Sequence, residues 1–282
     1  MLERGLMMKT QARAVVIGGG VVGVSMLYHL AKKGWTDAVL IERKELTSGS
    51  TWHAAGLLPL FNMSYSVGQV HKYSVKFYQE LEKETGMNVG FRNVSNIRLA
   101  SNPDRWDEYM QYAGVADTIG IEVERLTPDQ VKEIWPLCNT EGLLGAIRHP
   151  GDGYIQPADL TQAMAKGARD MGATIYRNTT VSGISQNASG EWEIETDKGT
   201  ITCEHVVSCT GNFARKTGAM VGLNVPVIPV EHQYIVTEPH PEIKARHAAG
   251  EPEMGVLRDS DNGWYLREAV SYTHLTLPTT EY

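Results

Sequence analysis

The fold is decided near the start of the chain by Ala14-Val15-Val16-Ile17-Gly18-Gly19-Gly20-Val21-Val22-Gly23. The first four residues are apolar and mostly β-branched, which is typical of a parallel strand buried on both faces. The residues from Val22 to Lys33 have the composition of a helix that ends at Gly34. A second apolar run, Ala38-Val39-Leu40-Ile41, follows. The sequence therefore predicts a βαβ unit with a crossover helix.

The glycines between the strand and the helix match the spacing Gly-x-Gly-x-x-Gly. In such a loop Gly18 permits the tight turn, Gly20 the close approach of a ligand, and Gly23 the packing of helix on strand. The free N–H groups and the positive end of the helix suit a pyrophosphate. Glu42 ends the second strand, where it could accept hydrogen bonds from ribose hydroxyls and would disfavour a 2′-phosphate. We predict a dinucleotide site that does not take NADP.

Length and charge exclude several classes of protein. The chain has 282 residues, enough for one large domain or two ordinary ones, and a net charge of −7. That charge disfavours nucleic acid and anionic membrane surfaces as partners. The three cysteines are widely spaced, so we expect no metal site and a reducing compartment. Glycines interrupt the uncharged stretch Ala14 to Ala31, so we predict neither a signal peptide nor a membrane helix. The bacterial cytoplasm is the expected location, with the mitochondrial matrix as the alternative.

A second informative segment follows the glycine loop by about thirty residues and contains His53. Taken alone, His53 would be an ordinary loop histidine. The segment around His53 and three further sequence motifs resemble the dimethylglycine dehydrogenase and sarcosine dehydrogenase family, within the D-amino-acid-oxidase-like flavoproteins. The resemblance covers about residues 12–270. The four matching motifs are Leu46-Thr47-Ser48-Gly49-Ser50-Thr51-Trp52-His53-Ala54-Ala55-Gly56, Glu84-Thr85-Gly86, Pro150-Gly151-Asp152-Gly153 and Pro229-Val230-Glu231-His232-Gln233-Tyr234.

The resemblance implies that the dinucleotide is FAD and that His53 is joined covalently to a ring methyl of the flavin. It also implies that Val181 holds the adenine through its backbone and that Gly211 passes close to the cofactor. The remaining FAD contacts that it implies, beyond the loop glycines Gly18, Gly20 and Gly23, are Val21, Val22, Glu42, Arg43, Gly49, Ser50, Thr51, Trp52, Ala54, Ala55, Gly56 and Leu57. For Val181 alone, a core strand position is the competing interpretation.

By the same resemblance, His232 and Tyr265 are expected to face the flavin. His232 could accept the proton of the substrate ammonium group, and Tyr265 could orient the substrate. A packed histidine and an ordinary strand aromatic are the competing interpretations. Arg258 and Arg267 are candidates for holding a substrate carboxylate, and the sequence singles out neither.

The predicted fold class is α/β, or α+β overall, with two interleaved domains. Residues 12–90 and 146–222 are predicted to form a Rossmann-like FAD-binding domain. It includes a β-meander, because turn signals separate Trp192–Thr196 from the next strand. Residues 91–145 and 223–270 are predicted to form an antiparallel-sheet substrate domain. There Thr127 caps a helix that starts at Pro128, and Val225–Val236 is rich in β-branched residues.

The last residues depart from the family pattern. Residues 271–282 resemble translated adapter sequence, and we predict that they are a non-native tail on an N-terminal fragment, with a substrate domain truncated at its C-terminus. As it stands, such a fragment is expected to lack a closed active site. Family members usually continue into a folate-binding aminomethyltransferase-like domain. Tetrahydrofolate is therefore expected as a cofactor only if such a domain follows.

The leading functional hypothesis is an FAD-dependent CH–NH dehydrogenase or oxidase of one-carbon metabolism. It would oxidise an N-methyl group of a small amino acid by hydride transfer to flavin, and pass electrons to an electron-transfer flavoprotein or to oxygen. The alternative is an inactive fragment or a non-catalytic homologue that resembles the regulatory subunit of pyruvate dehydrogenase phosphatase. That regulator is expected to lack the attachment histidine. An NAD-linked dehydrogenase is a third hypothesis, which the segment around His53 opposes. The particular amine, the electron acceptor and the oligomeric state are left open.

Overall fold

The computed structural model describes residues 7–269 and 272–276. The chain divides into two compact units. The first unit comprises the described residues of Met1–Gly56, Glu80–Gly90 and Gln156–Pro229. The second unit comprises those of Leu57–Gln79, Phe91–Ile155 and Val230–Tyr282.

Strands and helices alternate along most of the chain. The strands are β1 (Gln11–Ile17), β2 (Ala38–Ile41), β3 (Leu57–Leu58), β4 (Asn96–Ala100), β5 (Glu124–Leu126), β6 (Gly145–His149), β7 (Gly153–Tyr154), β8 (Thr174–Tyr176), β9 (Val181–Gln186), β10 (Trp192–Thr196), β11 (Gly199–Ser208), β12 (Tyr234–Val236), β13 (Val256–Asp259), β14 (Trp264–Ala269) and β15 (Tyr272–Thr276). The helices are α1 (Val21–Lys32), α2 (Tyr65–Thr85), α3 (Pro103–Ile119), α4 (Pro128–Ile134), α5 (Pro157–Asp170), α6 (Ala214–Ala219) and α7 (Pro241–Ala248). No helix in these ranges has both the length and the apolar composition needed to cross a membrane.

The first unit is built on a sheet with the strand order β8-β2-β1-β11-β10-β9. Strands β8, β2, β1 and β11 are parallel, whereas β11, β10 and β9 form an antiparallel meander. Val15 and Val16 are fully buried on opposite faces of β1, as the apolar run predicts. The prediction of a Rossmann-like domain with a β-meander is confirmed.

The second unit contains a sheet with the order β12-β15-β14-β13-β4-β6-β5. One face carries an apolar core in which Ile97, Leu257 and Leu266 pack with Trp135. Its strand pairs are antiparallel except for β13 and β4, which run parallel. The exception is consistent with the long connection between these two strands, since only a tight hairpin forces neighbouring strands to be antiparallel.

The compact units follow different boundaries from the predicted functional domains. The second unit includes Leu57–Gln79 and residues 146–155, which the sequence analysis placed in the FAD-binding domain. The reason is strand pairing: β6 forms a ladder with β4, and β3 pairs with β7. The β-branched run of 225–236 also contains a shorter strand than its composition suggests, since only Tyr234–Val236 joins the sheet. The functional boundaries stay a prediction.

The predicted non-native tail falls partly outside the described residues, at positions 271 and 277–282. Tyr272–Thr276 lies between β14 and β12 and pairs with both of them. Backbone pairing of this kind needs only an extended segment, so it leaves the origin of the tail a prediction.

The start of α4 agrees with the sequence signal. The Thr127 hydroxyl accepts a hydrogen bond from the Gln130 N–H at 3.3 Å, and the Gln130 side chain accepts one from the Thr127 N–H at 2.8 Å. We expect Thr127→Ala to lower the free energy of unfolding by about 1 kcal/mol, because the Gln130 N–H loses its acceptor. Denaturant titration checks this, with exposed Thr36→Ala as a control expected to change stability by less than roughly 0.5 kcal/mol. Equal losses in both variants would contradict the capping role.

Candidate functional site

The glycine turn lies at the carboxyl ends of β1, β2 and β11. The Gly18 N–H donates to the Ile41 carbonyl at 2.9 Å, and the Cys209 N–H donates to the Ile17 carbonyl at 2.8 Å. Gly18 has φ 113°, which favours glycine, and a Cβ there would lie 2.4 Å from the Cys209 carbonyl oxygen. Open α/β sheets bind ligands at this edge of the strands. The turn therefore has the position and the backbone geometry of a dinucleotide-binding loop.

The helix that follows the turn presents its N-terminus without an acidic cap. Gly20 is the N-cap residue of α1, and the first turn contains no acidic side chain. The Val21 N–H donates to the Thr51 hydroxyl at 3.0 Å. Val22 is 66% exposed. Helix N–H groups and the positive end of the helix dipole are thus arranged to receive an anion.

Glu42 braces the turn from the end of β2. One carboxylate oxygen accepts the Gly19 N–H at 2.7 Å, and the other accepts the Lys44 N–H at 2.8 Å. A carboxylate has about four acceptor positions, so each oxygen retains capacity for a further donor such as a ribose hydroxyl. Glu42 therefore has a structural contact that the sequence did not predict, and its expected contact with a ribose stays a prediction.

The segment that contains His53 is folded back on the glycine turn. The Thr47 N–H donates to the Gly19 carbonyl at 3.0 Å, and Thr51 is buried. The chain then turns tightly, with the His53 N–H donating to the Ser50 carbonyl at 3.2 Å. His53 is exposed and Trp52 is 68% exposed. The structure thus brings the glycine turn and the segment Thr47–His53 together within the first unit, whereas Leu57 begins β3 of the second unit.

Phe213 and Asn212 lie beside this site and were not predicted from the sequence. The Phe213 ring centroid lies 3.8 Å from the guanidinium of Arg43, a cation–π arrangement. The Asn212 side chain donates to the Ser50 hydroxyl at 3.2 Å. Both follow Gly211, which has φ 53° and an open position for a Cβ. The motif Cys209-Thr210-Gly211 at the end of β11 was the available signal, because Asn212 and Phe213 follow it directly.

Val181 begins β9 and packs against the apolar core of the first unit. That packing agrees with the competing interpretation of a core strand position. Its expected backbone contact with adenine stays a prediction.

The two catalytic candidates both fall in the second unit. Tyr265 is half-buried on β14, and His232 is exposed two residues before β12. Tyr265 and Tyr234 are the partners of Thr276 on its two sides, which places them two strands, or about 10 Å, apart. The exposure of His232 does not agree with the interpretation of a packed histidine. Their catalytic roles stay predictions.

A cluster of buried polar residues in the second unit was missed by the sequence analysis. Arg98 is 6% exposed, and its guanidinium lies 4.2 Å from the Phe61 ring centroid. Burial, with a smaller effect from the charge of Arg258, lowers the pKa of Arg98 to about 10. Burial raises the pKa of the Asp152 carboxyl to about 8, although one oxygen accepts the Leu60 N–H at 2.9 Å.

His149 belongs to the same cluster. Its Nε2 lies 2.9 Å from the Tyr112 hydroxyl. Burial, and then the charge of Arg98, lowers the pKa of His149 to about 3, so the imidazole is neutral at physiological pH. Burial also raises the pKa of the Tyr112 phenol. Arg98, His149 and Tyr112 lie in strands and a helix of ordinary composition, so nothing in the sequence pattern marks them. Asp152 lies between β6 and β7, within the motif Pro150-Gly151-Asp152-Gly153, which was the available signal for it.

A cavity of about 650 Å³ in the second unit contains none of the predicted site residues. Its two arginines are already paired with carboxylates, Arg92 with Glu253 and Arg148 with Glu124. It is lined by Phe91, Arg92, Asn93, Val94, Ser95, Arg148, Pro150, Pro252 and Glu253. Across the described ranges, no group of three or more histidine, cysteine, aspartate or glutamate side chains could hold a metal ion.

The fold and the glycine turn define an α/β protein of the dinucleotide-binding class. The family described as FAD dependent oxidoreductase (DAO) matches residues 13–280. The chain belongs to this family, which confirms the resemblance inferred from its sequence motifs.

Individual relatives give the same assignment. The chain is 42% identical over 260 residues to dimethylglycine dehydrogenase of Rattus norvegicus, covering 92% of this chain and 30% of the relative. It is 36% identical over 231 residues to the pyruvate dehydrogenase phosphatase regulatory subunit of Mus musculus, covering 81% of this chain and 26% of the relative. The chain therefore spans less than a third of the length of these curated relatives.

Among solved structures, L-proline dehydrogenase from P. horikoshii superposes with a TM-score of 0.83 at 25% identity. The superposition covers 98% of this chain and 73% of that chain. The predicted fold class is confirmed by this similarity together with the sheets described above.

Proposed function

We propose that the protein is an FAD-dependent CH–NH oxidoreductase that oxidises an N-methyl group of a small amino acid and holds its flavin covalently through His53. The observation that carries the proposal is the position of His53. It is exposed at the end of a segment whose Thr51 hydroxyl accepts the first N–H of α1. The attachment residue and the anion-binding helix end thus belong to one small piece of structure.

The residues around the glycine turn fit FAD. The turn can pass this close to its neighbours only with glycines, since a Cβ on Gly18 would lie 2.4 Å from the Cys209 carbonyl oxygen and one on Gly20 would lie 3.1 Å from the Thr51 hydroxyl. The N-terminus of α1 would hold the pyrophosphate, and Glu42 the adenosine ribose. Arg43, held against Phe213, would lie beside the adenosine. When bound, FAD supplies a hydride acceptor for amine oxidation.

The protein side chains would supply attachment and proton transfer. An imidazole nitrogen of His53 would replace one hydrogen of a flavin ring methyl. That hydrogen and the imidazole N–H hydrogen would pass to the flavin ring with two electrons, and the electron acceptor proposed below would then reoxidise the flavin. A substrate amine must lose its proton before it can donate a hydride, and His232 is the proposed proton acceptor. Tyr265 is the proposed orienting group. The proposed partners are a small N-methylated amino acid and an electron-transfer flavoprotein or oxygen, with tetrahydrofolate relevant only to a further domain.

We expect His53→Ala to abolish covalent flavin attachment while the glycine turn still binds FAD reversibly. Wild-type chain purified with flavin should retain its yellow colour in an acid precipitate, whereas the variant should release all of it into the supernatant. His205→Ala, another exposed histidine of the first unit, is the matched control and should behave as wild type. Complete release of FAD from acid-treated wild type would disprove the assignment of His53.

A second candidate function is a non-catalytic regulatory role, which the identity to the mouse regulatory subunit favours. His53 and its intact segment favour the enzyme. Anaerobic addition of dimethylglycine or sarcosine distinguishes the two. An oxidoreductase should lose the visible absorbance of oxidised flavin, whereas a regulator should bind FAD without being bleached by any N-methylated amino acid.

A further inference from the structure

A group of buried polar atoms in the second unit lacks hydrogen-bond partners among the described residues. Asn96 on β4 is fully buried, and neither the nitrogen nor the oxygen of its side-chain amide makes a hydrogen bond there. The same holds for Nε of Arg98, Nδ1 of His149 and one carboxyl oxygen of Asp152. Buried polar groups are almost always paired, either with protein atoms or with a bound molecule. These unpaired atoms therefore indicate a bound polar species.

The unpaired atoms belong to residues that lie close together. Asn96 and His149 are directly opposed on β4 and β6, so their side chains project from the same face of the sheet. Arg98 lies two residues further along β4 and shares that face. After burial, and for Asp152 also the hydrogen bond from Leu60, the charge of Arg98 affects the pKa values of His149 and Asp152. We call Asn96, Arg98, His149 and Asp152 the buried polar cluster.

The buried polar cluster is closed off from solvent. Arg98 is 6% exposed, and the other three members are fully buried. The Arg98 guanidinium lies 4.2 Å from the centroid of the Phe61 ring, which is itself 4.3 Å from the ring centroid of Tyr112 on α3. An enclosed position of this kind suits a water molecule or a single-atom ion, but not an amino acid.

The cluster contains a positive charge that has no counter-ion. No carboxylate among the described residues lies within ion-pair distance of Arg98. Burial raises the pKa of the Asp152 carboxyl to about 8, so this group is mostly protonated at neutral pH. Burial lowers the pKa of His149 to about 3, so its imidazole is neutral. A water molecule could satisfy the hydrogen bonds, but it would leave the buried cation without neutralisation, which is costly.

We propose that the buried polar cluster binds one small inorganic anion of the size of chloride. Its donors would be the Nε–H of Arg98, the amide group of Asn96 and the hydroxyl of protonated Asp152, which have no other acceptor among the described residues. The anion would neutralise the guanidinium and pair these donors at the same time. The proposal does not depend on the proposed reaction, because the site is enclosed and involves neither flavin nor substrate.

The test is thermal unfolding of the full 282-residue chain at about pH 6, in sodium chloride or sodium gluconate of equal concentration. Gluconate is too large for an enclosed site. We expect chloride to raise the unfolding temperature of wild type along a saturating curve, by about 3 °C or more over gluconate, because a ligand of the folded state alone stabilises it. Arg98→Met keeps the length of the side chain but removes its charge, and it should lose this difference.

Arg148→Met is the matched control, because Arg148 is an arginine of the same sheet that already pairs with Glu124 at 3.1 Å. It should keep the chloride response of wild type. Dimethylglycine at high concentration should also leave that response unchanged. Persistence of the response in Arg98→Met would overturn the proposal. Abolition of the response by dimethylglycine would overturn it as well, since the site would then be open to an amino acid.

The chloride response should also depend on pH. Asp152 is bordered by Arg98 on β4, His149 on β6 and Tyr112 on α3, whose phenol has a pKa raised by burial. Arg258 on β13 adds a second positive charge that acts on Arg98. As the pH rises through about 8, the Asp152 carboxyl ionises and replaces the anion as the counter-ion of Arg98.

Wild type should therefore lose the difference between chloride and gluconate by about pH 9 to 10. Asp152→Asn keeps a hydrogen-bond donor but does not ionise, so it should retain the difference over the whole range. Equal pH dependence in wild type and Asp152→Asn would overturn the proposed set of donors.

A crystal of wild-type chain grown in sodium bromide tests the site even if Arg98→Met fails to fold. The expected result is an anomalous bromide peak in contact with both the Arg98 guanidinium and the Asn96 amide. Density for water alone at this position, without anomalous signal, would overturn the proposal.

Discussion

Gly23→Ala is expected to prevent FAD binding and to destabilise the first unit by about 3 kcal/mol. A Cβ at this position would lie 1.9 Å from the Gly18 carbonyl oxygen and 3.2 Å from the Cys209 side chain. The contact at 1.9 Å is with backbone, so no rotamer change can relieve it. Helix α1 would have to move away from the turn, and its N-terminus would leave the proposed pyrophosphate position.

The measurements are denaturant unfolding and the flavin-to-protein absorbance ratio after purification with excess FAD. Gly114→Ala is the matched control, because it adds the same methyl group within α3 at a position with no atom inside 4 Å. It should increase stability by about 0.5–1 kcal/mol, since alanine is the better helix former. Wild-type flavin content in Gly23→Ala would show that close packing of α1 on the turn is not required.

Asp152→Asn is expected to make the protein more stable than wild type at pH 8, by roughly 2–5 kcal/mol, and to have little effect near pH 4. The pKa of Asp152 is about 8 in the folded protein, against an ordinary value of 3.8. Between these values the folded state holds a proton that the unfolded state has released. Wild-type stability therefore falls as the pH rises from about 4 to 8. Asparagine avoids this loss because it does not ionise.

Asparagine should also preserve the local structure, since its carbonyl oxygen can accept the Leu60 N–H as Asp152 does at 2.9 Å. The measurement is the free energy of unfolding at several pH values, expressed as the difference between variant and wild type so that the opposite effect of His149 cancels. Exposed Asp107→Asn on α3, which removes a carboxylate that is not buried, is the control. A variant that is less stable at pH 8 would mean that the Asp152 carboxylate is ionised and stabilising.

The four motifs shared with the family contain residues with structural contacts as well as candidate site residues. Glu84 of the motif Glu84-Thr85-Gly86 accepts a hydrogen bond from the Lys32 ammonium at 2.8 Å. This contact links α1 to residues 80–90 of the first unit. In Pro150-Gly151-Asp152-Gly153, a Cβ on Gly153 would lie 1.9 Å from the Arg92 carbonyl oxygen. A motif shared with a family can therefore mark a packing constraint rather than a catalytic group.

The sequence by itself predicted the strand, turn and helix of residues 14–33, which the structure places at 11–32, and it predicted the meander and the family. These features depend on neighbours in the chain: an apolar β-branched run, glycines at fixed spacing and helix caps leave few alternatives. It also singled out His53, because the signal is a continuous segment.

Only the tertiary structure decided which distant residues become neighbours. Arg98 and Arg258 are 160 positions apart, and their opposition depends on the register of β4 and β13, which no local pattern encodes. The contact of Arg43 with Phe213 and the assignment of 57–79 to the second unit arise in the same way. Burial, and hence the shifted pKa values of Asp152 and His149, follows from that assembly, because desolvation depends on everything packed around a group and not on its place in the chain.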